Sequence, residues 1–155
     1  MPAKKVLNVG TKVRNFRLKD QNQNIFQLSG CKGKKVLLSF HPLAWTPVCA
    51  KQMLSLEKSN KVFQKLNTKA YGISVDSVPS KNAWAKSLQI SQTGLLADFW
   101  PHGGVAKALG IFREEGFSER ANIIIDENGR IAFTKIYPIG QLPDIKEIIE
   151  QLKLI

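Results

Sequence analysis

Val36-Leu37-Leu38-Ser39-Phe40-His41-Pro42-Leu43-Ala44-Trp45-Thr46-Pro47-Val48-Cys49 joins a strand, a turn and the first turn of a helix within fourteen residues. The nearly continuous apolar run 36–41 predicts a central strand covered on both faces. Beyond Cys49, the residues Met53, Leu56, Phe63 and Leu66 recur at helical spacing and predict one long helix reaching Leu66. Pro47 suits the first helical position, where its fixed φ fits and its missing N–H costs nothing. Thr46 then becomes the N-cap and Cys49 the third residue of the helix. Unpaired backbone N–H groups and the positive end of the helix dipole lie there. Both favour a thiolate, so the thiol at Cys49 is expected to ionise below the ordinary value of about 8.5.

Working outward, residues 13–28 read as a β-hairpin, Val13-Phe16-Leu18 and Ile25-Phe26-Leu28 joined through Gln21-Asn22-Gln23-Asn24. A second buried strand is read at 70–76, followed by a helix beginning near Ser80 with Trp84 and Leu88 on one side. A short strand at 94–98 leads through Trp100-Pro101-His102-Gly103-Gly104 to a small helix around Val105–Leu109. Residues 121–126 and 131–137 flank Asp126-Glu127-Asn128-Gly129, a strong hairpin signal. The last helix starts at Pro143-Asp144 and buries Ile145, Ile148, Ile149 and Leu152. The alternation of strands and helices predicts an α/β fold with a central mixed sheet flanked by helices. Its order is thioredoxin-like, with an N-terminal β-hairpin added.

The 155 residues fit a single domain, 1–155, with a core of its own. No secretory leader or transmembrane run is read, and with two cysteines a reducing, cytoplasmic setting is the expectation. The net charge of +11 raises the question of nucleic acid. The basic residues are scattered, however, and aromatics do not interleave with them, so a solvated basic surface is expected, with no nucleic-acid or membrane partner.

A buried thiolate needs a cation, and His41 and Arg120 are the candidates. Arg120 precedes the strand 121–126, whose start is expected near the helix that carries Cys49. A planar guanidinium there can hold a thiolate and a substrate oxygen together. Taken singly, Thr46 reads as a cap, Pro42 as a turn residue and Arg120 as a surface charge; their joint occurrence changes the reading.

Pro42-x-x-x-Thr46-x-x-Cys49 resembles the peroxiredoxin signature, and Ser118-Glu119-Arg120-Ala121-Asn122 is similar to that family's active-site arginine segment. The likeness runs from Val9-Gly10 through Gly33-Lys34-Lys35 to Asp126-x-x-Gly129. It implies a peroxidase acting on hydrogen peroxide or organic hydroperoxides. Cys49 would attack a peroxide oxygen and become a sulfenic acid. Thr46 would hydrogen-bond the peroxide, Pro42 would close the pocket against water, and Arg120 would stabilise the thiolate and the charge on the breaking O–O bond. No metal, haem or flavin is implied. A homodimer or a monomer is expected.

The chain departs from the family at His41, where Tyr or Phe is frequent, and at Gln52, where many members carry Glu. Here Gln52 keeps a hydrogen-bonding amide without the charge. His102 and Trp100 read as structural loop residues, and Trp84 as core. Cys31, the other cysteine, precedes the strand 36–41 whereas Cys49 follows it. A six-residue strand spans about 20 Å, and a disulfide needs Cα atoms within about 7 Å. Resolution of the sulfenic acid is therefore expected from an external thiol: thioredoxin, a glutaredoxin-like protein or a small thiol. Two other classes fit the chain less well. A dithiol exchanger would need a cysteine at Thr46, and a non-enzymatic holdase or basic binding protein would tolerate loss of Cys49.

Overall fold

A computed structural model describes residues 5–155. Its frame is a five-stranded sheet in the order β5-β4-β3-β6-β7, with a separate two-stranded hairpin, β1-β2. The strands are β1 Arg17–Lys19, β2 Ile25–Gln27, β3 Lys35–Phe40, β4 Thr68–Ser74, β5 Gly94–Ala97, β6 Arg120–Ile125 and β7 Ile131–Tyr137. The helices are α1 Pro47–Lys58, α2 Asn60–Lys65, α3 Val78–Leu88, α4 Gly104–Ala108 and α5 Ile145–Leu154. β3, β4 and β5 run parallel, joined by helical crossovers, while β6 and β7 are antiparallel to their neighbours. This is the mixed, thioredoxin-like sheet with an N-terminal hairpin that the pattern predicts.

β3 lies at the centre because every one of its residues is buried. Its side chains alternate between two cores. Val36, Leu38 and Phe40 pack with the hairpin residues Phe26 and Leu28 and with α4, while Leu37 packs with α1, α3 and α5 through Met53, Trp84 and Ile148. Gly72 of β4 belongs to this packing: a Cβ there would collide with the Met53 sulfur, so the glycine lets α1 lie close on the sheet.

Five expectations need correction. The single helix to Leu66 is two helices, because Ser59 leaves helical geometry (ψ 7°) and its N–H reaches back to both Ser55 and Leu56. Ser59-Asn60 pairs two residues whose side chains compete for the backbone. The hairpin strands are three residues each, shorter than read, since Leu28 already begins a 3-10 turn, Leu28–Cys31. α3 starts two residues before Ser80, capped by Ser77, whose hydroxyl accepts from the Ser80 N–H. α5 starts at Ile145, with Asp144 as its cap accepting from the Lys146 N–H. The β6–β7 connection is wider than a two-residue turn: the Asp126 carboxylate accepts from the N–H groups of Asn128 and Arg130, and Gly129 takes φ 80°. No helix of the described residues is long and apolar enough to cross a membrane.

Candidate active site

The site forms where β3 ends. Because β6 runs antiparallel to β3, with Phe40 opposite Ala121, its first residue Arg120 lies at the end of β3 from which the chain turns into α1. Pro47 occupies the first helical position and Thr46 the N-cap, so Cys49 is third in the helix, as its sequence neighbours predict. The helical ladder opens with Ala50 N–H bonding the Thr46 carbonyl. The N–H groups of Val48 and Cys49 precede it, and the positive end of the helix dipole meets the thiol. Cys49 is fully buried.

Arg120 meets it across the sheet. Its Nη1 donates to Cys49 Sγ at 3.3 Å and to Gln52 Oε1 at 2.8 Å, and its Nε donates to the Ile139 carbonyl at 2.8 Å. Among the described residues Nη2 has no hydrogen-bond partner, which leaves it for a substrate oxygen. Gln52 lies one turn after Cys49 and is itself fixed, its amide nitrogen donating to Ser39 Oγ at 2.7 Å and to the Phe40 carbonyl at 3.1 Å. The guanidinium is thus held from α1 and the segment after β7, and through Gln52 from β3, and Arg120 is 3% exposed. At such a site charge is costly unless paired, and Arg120 is most nearly paired when Cys49 is a thiolate.

Thr46 differs in detail from its expected role. It stands at the N-cap position, but its side chain does not cap the helix; its hydroxyl donates to the Leu43 carbonyl at 2.8 Å. With its proton committed there, the oxygen has only lone pairs to offer the pocket, as an acceptor. Pro42 is buried at the turn beside His41, while Leu43 and Trp45 are exposed. The structure therefore brings Cys49, Arg120, Thr46 and Pro42 to one end of the sheet.

His41, the other candidate cation, has a neighbour that the sequence reading missed. Its Nδ1 faces the Ser39 carbonyl at 3.4 Å, and its Nε2 lies 3.0 Å from Lys81 Nζ on α3. Both residues are fully buried. Burial first, then the Lys81 charge, holds the imidazole well below its usual 6.5. Burial likewise pushes Lys81 down to about 7, against the pull of Asp76, Cys49 and Asp98. Asp76 was missed as well: its carboxylate accepts from the Ala44 N–H at 2.8 Å and from Ser74 Oγ at 2.6 Å. One signal was available for Lys81. It stands three residues before Trp84 on α3, on the stripe that Trp84 and Leu88 define as apolar.

The remaining candidates make no hydrogen bond to the thiol among the described residues. Trp84 is core, tilted against the His41 ring at 5.3 Å. His102 Nε2 lies 2.7 Å from the Gly116 carbonyl, and Trp100 is exposed. Cys31 ends the 3-10 turn before β3, in the opposite core from Cys49.

Residues 9–134 match the AhpC/TSA family. Alkyl hydroperoxide reductase E of Mycobacterium tuberculosis is 38% identical over 145 residues, which span 90% of this chain and 92% of that protein. The reduced 2-Cys peroxiredoxin of Plasmodium vivax superposes with a TM-score of 0.87 at 25% identity, covering 94% of this chain and 80% of the other. Peroxidoxin BcpB of Mycobacterium tuberculosis superposes with a TM-score of 0.82 at 25% identity, covering 95% and 97%.

Proposed function

The chain belongs to the AhpC/TSA family of thiol-dependent peroxidases, and from that premise we propose that Cys49 is its reacting thiol, with Arg120, Thr46 and Pro42 as the pocket around it. The observation that carries this reading is the 3.3 Å contact between Arg120 Nη1 and Cys49 Sγ at the N-terminal turn of α1.

The Cys49 thiolate attacks the outer oxygen of a hydroperoxide, RO–OH. The S–O bond forms as the O–O bond breaks, giving the sulfenic acid Cys49–SOH and RO⁻, which takes a proton to become ROH. Two electrons pass from sulfur to oxygen. Arg120 serves the charge at both ends of this path: Nη1 holds the thiolate, and Nη2 donates to the peroxide oxygen as negative charge grows there. Thr46, whose own proton goes to Leu43, accepts the peroxide O–H and turns the outer oxygen toward sulfur. Pro42 supplies an apolar wall without an N–H, which keeps water from solvating the thiolate.

An external thiol completes the cycle in this reading. It condenses with Cys49–SOH, releasing water and leaving a mixed disulfide, which a second thiol reduces. The place of Cys31 supports this reading: β3, six residues long, separates it from Cys49, and the two thiols face opposite cores. A thioredoxin, a glutaredoxin-like protein or a small thiol in a reducing cytoplasm meets this need. A homodimer is part of the proposal, supported by the exposed Phe99 and Trp100.

The test is Cys49→Ser against wild type in a peroxide-consumption assay with excess dithiol reductant. The variant is expected to lose turnover entirely, and a sulfenic-acid trap is expected to label wild type at Cys49. Equal rates for the two proteins overturn the assignment.

A further inference from the structure

Beside the pocket, the fully buried pair His41 and Lys81 has no part in the mechanism above. Three ties bind the first turn of α3 and the loop before it to the segment 41–45. Lys81 Nζ meets His41 Nε2 at 3.0 Å, Trp45 Nε1 donates to Ser80 Oγ at 3.0 Å, and the Ala44 N–H donates to Asp76 Oδ2 at 2.8 Å. That segment carries Pro42 and leads directly into Thr46 and Cys49.

A fully buried lysine is among the costliest side chains to place in a core. A leucine or methionine would satisfy the packing against Trp84, so the ammonium calls for a reason. Its surroundings are suited to a charge. His41 Nδ1 faces the Ser39 carbonyl and so carries the ring proton, which leaves Nε2 to accept from Lys81. Lys81 Nζ lies 5.8 Å from the Trp84 ring centroid. Asp76 from the β4–α3 loop, Asp98 from the end of β5 and Cys49 from α1 all favour its charged form, and Arg120 bears on the His41 end of the pair. Two adjacent cations in this dry space would repel, so the His41–Lys81 pair holds one proton between them.

We propose that Lys81 is a second cation of the active site, a positioning residue that acts through His41 and the 41–45 segment and whose charge favours the Cys49 thiolate. The coupling is reciprocal: whatever the ammonium does for the thiolate, the thiolate does for the ammonium. Lys81, which ionises near 7, gives up its charge as the solution becomes alkaline. Reactivity at Cys49 then has a component present at mildly acid pH and lost above neutrality. This rests on Cys49 being the reacting thiol.

Two measurements test it. The chain has two histidines, so ring NMR signals for His41 and His102 are separable. The His41 signal reports the proton it shares with Lys81. Replacing Cys49 by Ser removes the thiolate and is expected to lower the proton affinity seen at His41 by roughly fivefold or more, the low end of ordinary coupling between sites. His102 is expected to stay unmoved. An unchanged His41 midpoint overturns the inference, whether or not Lys81 variants fold. The second measurement is the pH profile of peroxide consumption by Lys81→Met, which keeps the volume and removes the charge. Its rate is expected to fall roughly fivefold or more below wild type at mildly acid pH. The gap should close as pH rises through about 7, where wild-type Lys81 discharges. A deficit equal at all pH values marks a merely structural lysine and overturns the inference. Turnover by Cys49→Ser would instead overturn the assignment of the thiol; an inactive Cys49→Ser with an unmoved His41 overturns this inference alone.

Discussion

Cys31 and Cys49 lie at opposite ends of β3 and are both buried, yet only one sits in a place built for an anion. Cys49 has a helix N-terminus above it and a guanidinium at 3.3 Å. Cys31 ends a 3-10 turn among Val13, Phe26 and Leu28, and among the described residues the polar group its sulfur meets is a carbonyl, Gln27 O, at 3.8 Å. Burial pushes the Cys31 thiol up, against the weaker pull of Lys69 and Lys34. Burial by itself makes a thiol inert. What differs at the other end of the strand is the set of donors delivered there by a helix start and by the antiparallel entry of β6. The same element, β3, separates the two cysteines and makes a reactive one possible.

The comparison breaks most severely if Arg120 is removed. Arg120→Met leaves Cys49 with the helix terminus and the indirect support of Lys81, and without a direct partner for the thiolate, a step toward the condition of Cys31. Peroxide reduction, followed as kcat/KM with reductant in excess, is expected to fall by roughly 10²–10³, the usual loss for one donor aimed at developing charge. Arg120→Lys is expected to recover little, because a single ammonium cannot serve Gln52, the thiolate and a peroxide oxygen in one plane. A loss under threefold would mean that the helix terminus carries the site without its cation.

Much of this contrast was legible in the sequence. Pro47 fixes the helix start, so the place of Cys49 follows from local backbone chemistry and needs no tertiary information. Arg120 was readable because strand order puts the start of β6 beside the end of β3. The residues that stayed hidden are those whose role depends on burial. Lys81 stands on the apolar stripe of α3 and Asp76 at the end of a predicted buried strand, but only the packing of α3 against the 41–45 segment shows what each of them meets. The break at Ser59 was hidden for a related reason: apolar periodicity continues through it, because α2 buries Phe63 on the same core as α1. The Thr46 hydroxyl was assigned to the helix because caps are the commonest use of that residue, whereas the turn of 42–45 brings the Leu43 carbonyl nearer.

Gln52 offers a smaller perturbation. It accepts from Arg120 and donates to Ser39 and Phe40, so it transmits the rigidity of β3 to the guanidinium. Gln52→Leu leaves the thiolate's partner present but loosely aimed. The expected loss is about tenfold in kcat/KM, less than the hundredfold that a full ångström of misplacement can cost. Gln52→Glu, which keeps the acceptor for Arg120, is expected to retain more activity than Gln52→Leu. If the two variants were equally impaired, the amide donors to β3 rather than the acceptor would be what positions Arg120.

The smallest effect should come from the other end of the strand. Cys31→Ala is expected to leave peroxide turnover within about twofold of wild type, since surroundings rather than burial set thiol reactivity. Its stability should fall by about 1 kcal/mol for the lost contacts. Peroxide treatment of wild type, followed by non-reducing mass spectrometry, should show no Cys31–Cys49 bond, and alkylation at neutral pH should mark Cys49 before Cys31. The sign of the pH effect follows from burial. The Cys31 thiol ionises above its ordinary 9.0 in the folded chain, so above pH 9.0 the unfolded chain loses that proton first. The folded state then binds more protons, and stability contributed by Cys31 drains away as pH rises further. Urea unfolding at neutral and alkaline pH reads this directly. Wild type should lose more stability on going alkaline than Cys31→Ala does, and equal losses would mean that the buried thiol ionises as freely as an unfolded one.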